Sequence, residues 1–326
     1  MRLPGRRPDV PDGGATVATA TRSGSARSTN MARNESIAAL LFITPWIIGF
    51  LVFTLGPALA SVYFSLTNYN VLEPAQWTGF DNYVEILTQD DLFRKSLINT
   101  AYYTVIYVPL HIISALAVAM LLNTKVRGIP FWRTFFYLPS VTPVVAMAIL
   151  WKFILNPQGG ILNQGLRSLG LPAPGWTTDP NWMMPALGIM VTWGGAGNAM
   201  IIYLAGLKNI PIELYESADI DGAGWWSRTF HITLPMLSPV LFFTTVVGIV
   251  AALQTFAQSR VLFDEEGGNA NAALLYLMYL FNTAFSYFRM GYASALAWIL
   301  FVVIIAFTVF QFWLSKRWVY YEGESK

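Results

Sequence analysis

The chain has 326 residues, of which 55% are hydrophobic and 12% charged, with a formal net charge of +2 and no cysteine. That charge content is roughly half of what a soluble domain carries, which excludes a water-soluble globule and implies a polytopic α-helical membrane protein. Disulfides, thiol catalysis and thiolate metal sites are excluded with cysteine, and His111 and His231 are too few for a multi-histidine metal site.

Residues 1–34 are rich in Arg, Gly, Ser, Thr and Pro and almost free of large apolar side chains, so they read as a disordered tail. Arg6 and Arg7 are not followed by an apolar core at signal-peptide distance. Met31 is an alternative start. A membrane domain is expected over 35–326. Six apolar runs follow, near 37–66, 98–122, 131–155, 184–207, 234–256 and 290–314. Each is long enough as a helix to cross a hydrocarbon layer of ~30 Å. Gly56-Pro57 is expected to kink the first or end its regular part. A further run, 272–285, is too short for a span and reads as a re-entrant or interfacial helix.

Orientation follows from the basic residues. With the tail inside, Lys125, Arg127, Arg133, Lys208, Arg228, Lys316, Arg317 and Lys326 join the tail arginines on the inner side. Arg94, Lys95, Lys152, Arg167, Arg260 and Arg289 fall outside, where acids outnumber them. Both termini are therefore expected in the cytoplasm, as an even number of spans requires.

Between the fourth and fifth runs lies a polar segment, ESADIDGAGWWSRTFHITLPMLSP, from Glu216 to Pro239. Glu213, Glu216, Asp219 and Asp221 cluster ahead of Gly222 and Gly224; Trp225, Trp226 and Phe230 follow, and Leu234-Pro235 opens the next apolar run. Glycine marks a turn or a close backbone approach, and Pro235 suits a helix start. The segment thus reads as short helix, glycine turn, short helix, membrane helix.

Glu216, Ala218, Asp221-Gly222-Ala223, Phe230, Ile232, Leu234-Pro235 and Pro239 resemble the cytoplasmic coupling motif of bacterial ABC-importer permeases, with Ser217 where the family usually has Ala. The likeness extends to Trp77, Gly79-Phe80 and Asn82-Tyr83, to Tyr137-Leu138-Pro139, Trp151, Gly159-Gly160 and Asn163, and to Asn282-Thr283-Ala284-Phe285 with Gly291 to Ala295. These segments resemble sugar-importer permeases, and the closing Lys316 to Glu322 resembles the first permease of a heteromeric pair. The resemblance implies an all-α fold of type I ABC importer permeases with six transmembrane helices, both termini cytoplasmic and a coupling loop over 208–233. It implies ATPase coupling through Glu213, Glu216, Ala218, Asp221, Gly222, Ala223, Leu234 and Pro235, with Glu216 pairing with a basic residue of the ATPase. The implied partners are a second homologous permease, two ATPase subunits, an extracytoplasmic solute-binding protein, a carbohydrate substrate and membrane lipid, with no nucleic acid.

Chemistry inside the chain is sparse. Gly194-Gly195-Ala196-Gly197 lacks the Lys-Ser/Thr of a phosphate loop and reads as a site of close helix packing. The chain therefore holds no cofactor of its own, ATP and Mg belonging to a partner ATPase. The spans contain no carboxylate, which removes convergent acids, a metal site and an ion relay. His111 stands alone and reads as a hydrogen-bonded residue between helices, with a functional role as the alternative. A neutral sugar needs hydrogen-bonding groups and aromatic faces, supplied by Trp193, Asn198, Tyr203, Gln254, Thr255 and Gln258 as pathway candidates. Each serves equally as an interhelical hydrogen-bonding or interface residue. The alternatives to a sugar permease are an ABC permease for another solute and a non-transporting membrane scaffold.

Overall fold

A computed structural model describes residues 25–124 and 127–320, with side chains from Glu35 onward. Most of the expected tail, residues 1–24, lies outside the described residues. Helix α1 (Ser25–Phe50) begins ahead of the expected domain boundary at 35. The chain divides between Leu59 and Ala60 into two compact units.

In the first unit α1 runs into a π-helical turn, Leu51–Leu55, and then into α2 (Gly56–Ser65), which enters the second unit. Pro57 lacks an N–H, and its ring crowds the carbonyl four residues back. The helix answers by widening: the Gly56 N–H reaches back to the Leu51 carbonyl, as a π turn does. At Gly56-Pro57, where a kink or an end to the regular part is expected, the helix passes through this wide turn and Glu35–Ser65 continues as one stretch.

The second unit opens with a small antiparallel hairpin, β1 (Thr67–Asn68) and β2 (Gln76–Trp77), with Thr67 opposite Trp77. Then come α3 (Asp81–Thr88), α4 (Asp91–Leu122), α5 (Ile129–Val141), α6 (Val144–Ile154), α7 (Ile161–Ser168) and α8 (Pro180–Lys208). After α8 the chain forms α9 (Ile212–Ile220), α10 (Trp225–Arg228), α11 (Leu234–Met236) and α12 (Ser238–Leu253). It ends with α13 (Ala257–Phe263), α14 (Tyr276–Phe281) and α15 (Met290–Ser315).

Among the described residues four stretches are long and apolar enough to cross a membrane unbroken, namely Glu35–Ser65, α4, α8 and α15; two bent pairs raise the number to six if each is one span. The third and fifth spans, expected as single helices, are those pairs. Ile129–Val141 and Val144–Ile154 meet at 98°, and Trp225–Met236 and Ser238–Leu253 at 68°. In the first pair Thr142 precedes Pro143, which forces it extended, at ψ 130°. In the second, Pro239 follows Pro235 by one helical turn, so its ring would press on the Pro235 carbonyl. The chain breaks at Leu237, and the Ser238 hydroxyl caps the Pro235 carbonyl at 2.6 Å.

Neighbouring residues fix the helix directions. Cβ atoms built on Gly188 and Gly195 of α8 would meet Ile106 and His111 of α4, so these two helices are parallel. The Tyr203–Thr244 contact, with Gly206 near Val240, makes α12 antiparallel to α8. Phe242 against Phe312, and the Tyr320 N–H on Ser238, make α15 antiparallel to α12. The second, fourth and sixth spans therefore run one way, ending near Asn123, Lys208 and Lys316.

Two apolar cores lie along this frame. One joins α4, α6, α8, α13, α14 and α15. The other gathers Ala119, Leu122, Met200, Tyr203, Leu207 and Leu237 at the end that leads into α9. The run 272–285 becomes α14 and a π turn, Asn282–Ser286. Tyr276 and Met278 of α14 are fully buried, and the Tyr276 hydroxyl donates to the Leu296 carbonyl at 2.8 Å. It is an internal helix of the bundle.

Candidate coupling segment and translocation face

The segment after α8 folds in the order the residues suggest. Pro211 caps α9 in an extended conformation, and Glu213 lies in the first turn, where the helix dipole favours a carboxylate. At the other end Gly222 has φ +71°. The Gly222 N–H donates to the Asp219 carbonyl at 3.1 Å and the Ala223 N–H to the Ala218 carbonyl at 2.9 Å. These two bonds define a Schellman motif, in which Asp221 is the cap, Gly222 the left-handed residue and Ala223 the residue that closes back on Ala218. Both alanines are half-buried. The spacing Ala218–Asp221-Gly222-Ala223 is thus the covalent requirement of one kind of helix stop.

The next residues are tied back to α9. Arg228 of α10 forms an ion pair with Asp219, and the Tyr215 and Thr233 hydroxyls share a hydrogen bond of 3.0 Å. Residues Thr229–Thr233 form a π turn whose closing bond runs from the Leu234 N–H to the Thr229 carbonyl. The cause is that of the first span: Pro235 follows and blocks the ordinary bond. Leu234 is half-buried and Pro235 exposed.

The outer side of the segment is open. Glu213, Glu216 and Asp221 are exposed, and among the described residues neither Glu213 nor Glu216 has a basic partner. Ile220 is 87% exposed, Trp226 67% and Phe230 57%, with the last two rings stacked at 5.9 Å. Scattered apolar side chains on a surface are ordinary, but a contiguous group beside unpaired acids marks an interaction face. His231 is exposed, with Nδ1 3.0 Å from the Ser227 carbonyl, a local loop contact.

The pathway candidates do not converge. At about 100° per residue, Trp193, Asn198 and Tyr203 point from α8 in three directions. Trp193 is 45% exposed and lies in a cavity of about 480 Å³ between α4, α5 and α8, near Thr142 and Thr192. Its ring meets Trp151 edge-to-face at 5.8 Å. Asn198 is exposed. Tyr203 is fully buried, and its hydroxyl is 2.6 Å from the Thr244 hydroxyl, which makes it an interhelical tie instead of a lining residue. Gln254 is exposed at the end of α12, Thr255 is buried with its hydroxyl on the Ala251 carbonyl, and Gln258 is half-buried on α13.

The glycine run of α8 is a packing device. A Cβ on Gly194 would strike the Met147 side chain, and one on Gly197 would lie 2.7 Å from the Phe136 carbonyl oxygen and 2.9 Å from the Tyr137 Cα. His111 sits beside Gly195 and against the Tyr107 ring, 5.2 Å away. Its buried Nδ1 has no hydrogen-bond partner among the described residues, so the expected interhelical bond is not made through that atom.

One cluster escaped the reading of the sequence. Asp90 caps α4 by accepting from the Phe93 N–H at 2.8 Å, and its other oxygen accepts from the hydroxyls of Tyr279 and Tyr292, each at 2.6 Å. Arg289 adds an ion pair to Glu85 at 2.8 Å and lies 4.1 Å over the Tyr292 ring. Burial, reinforced by the Asp90 carboxylate, pushes the Tyr279 hydroxyl above its ordinary range, so it remains a donor at neutral pH. An Asp before an apolar run signals an N-cap; the tyrosines, about two hundred residues on, carry no such local signal.

Residues 108–320 match the family model described as binding-protein-dependent transport system inner membrane component. The chain is 40% identical over 296 residues to the probable ABC transporter permease protein YesP of Bacillus subtilis (strain 168), covering 90% of this chain and 95% of that one. It is 33% identical over 306 residues to the lactose transport system permease protein LacF of Rhizobium radiobacter, covering 92% and 99%. In fold it is similar to a chain of a bacterial alginate ABC transporter solved with an alginate pentasaccharide-bound periplasmic protein. That match has a TM-score of 0.75 and 25% identity, over 89% of this chain and 96% of that chain. A helical chain with up to six candidate spans among its described residues, matched over most of its length, thus belongs to the inner membrane components of binding-protein-dependent transport systems: it is an ABC-transporter permease, a transport subunit whose ATP is hydrolysed by separate ATPase subunits.

Proposed function

We propose that this permease moves a carbohydrate inward across the cytoplasmic membrane, driven through α9 by a separate ATPase subunit that holds ATP and Mg. It pairs with a second, homologous permease, each coupling loop seats on one of two ATPases, and an extracytoplasmic solute-binding protein delivers the sugar. Both termini and the loop 208–233 lie in the cytoplasm. The observation that carries this reading is the α9–Gly222–α10 segment: a rigidly capped, acid-bearing face at the end where the second, fourth and sixth spans finish. That end also carries Arg127, Lys208, Arg228, Lys316 and Arg317, in keeping with a cytoplasmic side.

The carbohydrate assignment draws on the lactose and alginate systems named above, and on mid-span surfaces that offer indole, amide and hydroxyl groups without charge. Glu213, Glu216, Asp221, Gly222 and the closing Ala218 and Ala223 form the ATPase contact, with Leu234-Pro235 turning the chain back toward the membrane. Trp193, Asn198, Gln254 and Gln258 remain as exposed or half-exposed pathway groups. The test is Glu216→Lys and Gly222→Trp in the assembled system, read by ATPase pull-down and sugar uptake. Loss of both supports the coupling assignment; normal assembly with normal uptake in both variants overturns it. A cysteine placed at Ser227 and labelled only after permeabilisation confirms the cytoplasmic side.

A further inference from the structure

At the end of the bundle opposite α9, a cavity of about 670 Å³ lies between α6, α7, the segment Pro172–Pro174 and the first half of α8. Trp151, Leu162, Leu166, Trp176, Trp182 and Ile189 form most of its wall. Its size falls within the ~300–1,000 Å³ of small-molecule sites. Three occupants are conceivable by chemistry: water, a carbohydrate and a hydrocarbon chain.

The polar groups near the wall are already engaged with one another. Trp176 Nε1 donates to Asn163 Oδ1 at 2.8 Å, and Asn163 Nδ2 donates to the Pro157 and Pro174 carbonyls. The Arg167 guanidinium donates to the Pro157 and Gln158 carbonyls. Among the described residues the Trp151 Nε1 of this wall is buried without a partner. A sugar with several hydroxyls would lose its hydration here and regain almost none of it. Water gains little there, because the walls offer few of the roughly 2–4 polar partners that an ordered water needs.

The surroundings of the mouth identify the remaining choice. α7 is amphipathic: Leu162 and Leu166 turn to the cavity, and Leu171, which also lines it, is 50% exposed. Together with the half-exposed Trp182 they form an apolar rim at the end of two membrane-crossing helices. Indoles at such an end occupy the membrane interface, and a short amphipathic helix lies in that plane.

We propose that this cavity is a lipid site that receives the acyl tail of a membrane phospholipid. The tail enters past Trp182 and Leu171 and lies along Leu166, Trp151 and Ile189, filling the gap between α7 and α8 that the protein's own side chains leave open. The site ties α7 to the bilayer; it lies away from the coupling segment and adjoins the face around Trp193, with Ile189 lining both cavities and Trp151 packed on the Trp193 ring.

The assembled transporter, in vesicles of phosphatidylethanolamine and phosphatidylglycerol with a trace of phosphatidylcholine bearing a diazirine in its acyl tail, tests this. After photolysis, peptide mapping is expected to find adducts on the peptides that carry Leu162, Leu166 and Ile189. Adducts on exposed Val302 and Val309 of α15 serve as the internal standard for lipid contact. Ala173→Trp and, independently, Ile189→Trp fill the cavity, and each is expected to abolish the cavity adducts while the α15 adducts persist. Adducts on α15 without any at the cavity overturn the proposal, as does full cavity labelling in both filled variants.

Discussion

The backbone of Ala223 turns back to bond the carbonyl of Ala218 at 2.9 Å, and Gly222 between them makes this possible with φ +71°. An L-residue with a Cβ pays about 1–2 kcal/mol to adopt that conformation. The series Gly222→Asn, Gly222→Ala and Gly222→Val should therefore weaken coupling in that order, because Asn tolerates the left-handed region and a β-branched residue does not. ATPase co-purification and uptake, measured side by side, are expected to fall together along the series. No Cβ clash exists at this glycine, so an equal loss with Asn and Val would show that backbone conformation is not the cause.

Gly195 and Gly197 of α8 offer a second comparison. A Cβ at Gly197 meets the backbone of α5 at 2.7 Å, whereas one at Gly195 meets the His111 ring at 3.0 Å, a side chain that can shift. Gly197→Ala is expected to destabilise by about 1–3 kcal/mol, as overpacking does, and Gly195→Ala by clearly less. Thermal unfolding in detergent, followed by size-exclusion chromatography, reports the order. The reverse order would mean that α5 rides more loosely on α8 than the geometry indicates.

Tyr203 and Trp193 separate a structural role from a transport role. Tyr203→Phe removes a buried hydroxyl bonded to Thr244, worth about 1 kcal/mol, and is expected to lower thermal stability while leaving the substrate concentration for half-maximal uptake unchanged. Trp193→Ala, at a partly exposed position, is expected to raise that concentration. An unchanged half-saturation in Trp193→Ala with a shifted one in Tyr203→Phe would reverse the assignment.

The Asp90 cluster predicts a pH response. The raised Tyr279 hydroxyl favours the neutral form in the folded state, so its contribution is complete below the unfolded value of about 10 and is lost as pH climbs through the folded value. Melting temperature is expected to decline above about pH 10, with a shallower decline in Tyr279→Phe. Asp90→Ala should cost more than either tyrosine substitution at neutral pH, since it removes a helix cap of about 0.5–2 kcal/mol and both hydroxyl acceptors. Equal melting curves for Asp90→Ala and the wild type would discard the cluster as a stabilising element.

Local chemistry made much of this molecule readable. Apolar runs of sufficient length announced the spans, and glycine with proline announced the turns around Gly222 and Pro235. The two bends at Thr142 and Leu237 were missed, although Pro143 and Pro239 were visible, because hydropathy runs through both without a change. Whether a proline bends a helix depends on what can donate to the freed carbonyl, and here the Ser238 hydroxyl does so. The capped turn between α9 and α10 was legible because its residues are consecutive. The pathway face was not: whether Tyr203 looks outward or inward is decided by Thr244 on another helix, and Asp90 finds its tyrosines far along the chain.

From Pro211 to Met236 the chain is cross-braced twice, by Asp219 with Arg228 and by Tyr215 with Thr233, while the helix axis bends by 68° at Leu237. A torque delivered to α9 is therefore conveyed as by a crank, with little lost in flexing of the arm, and the yielding falls on a single pivot beside Ser238. The same pivot holds the Tyr320 N–H after the last span at 2.8 Å. Rotation at one point would thus be felt in two helices at once.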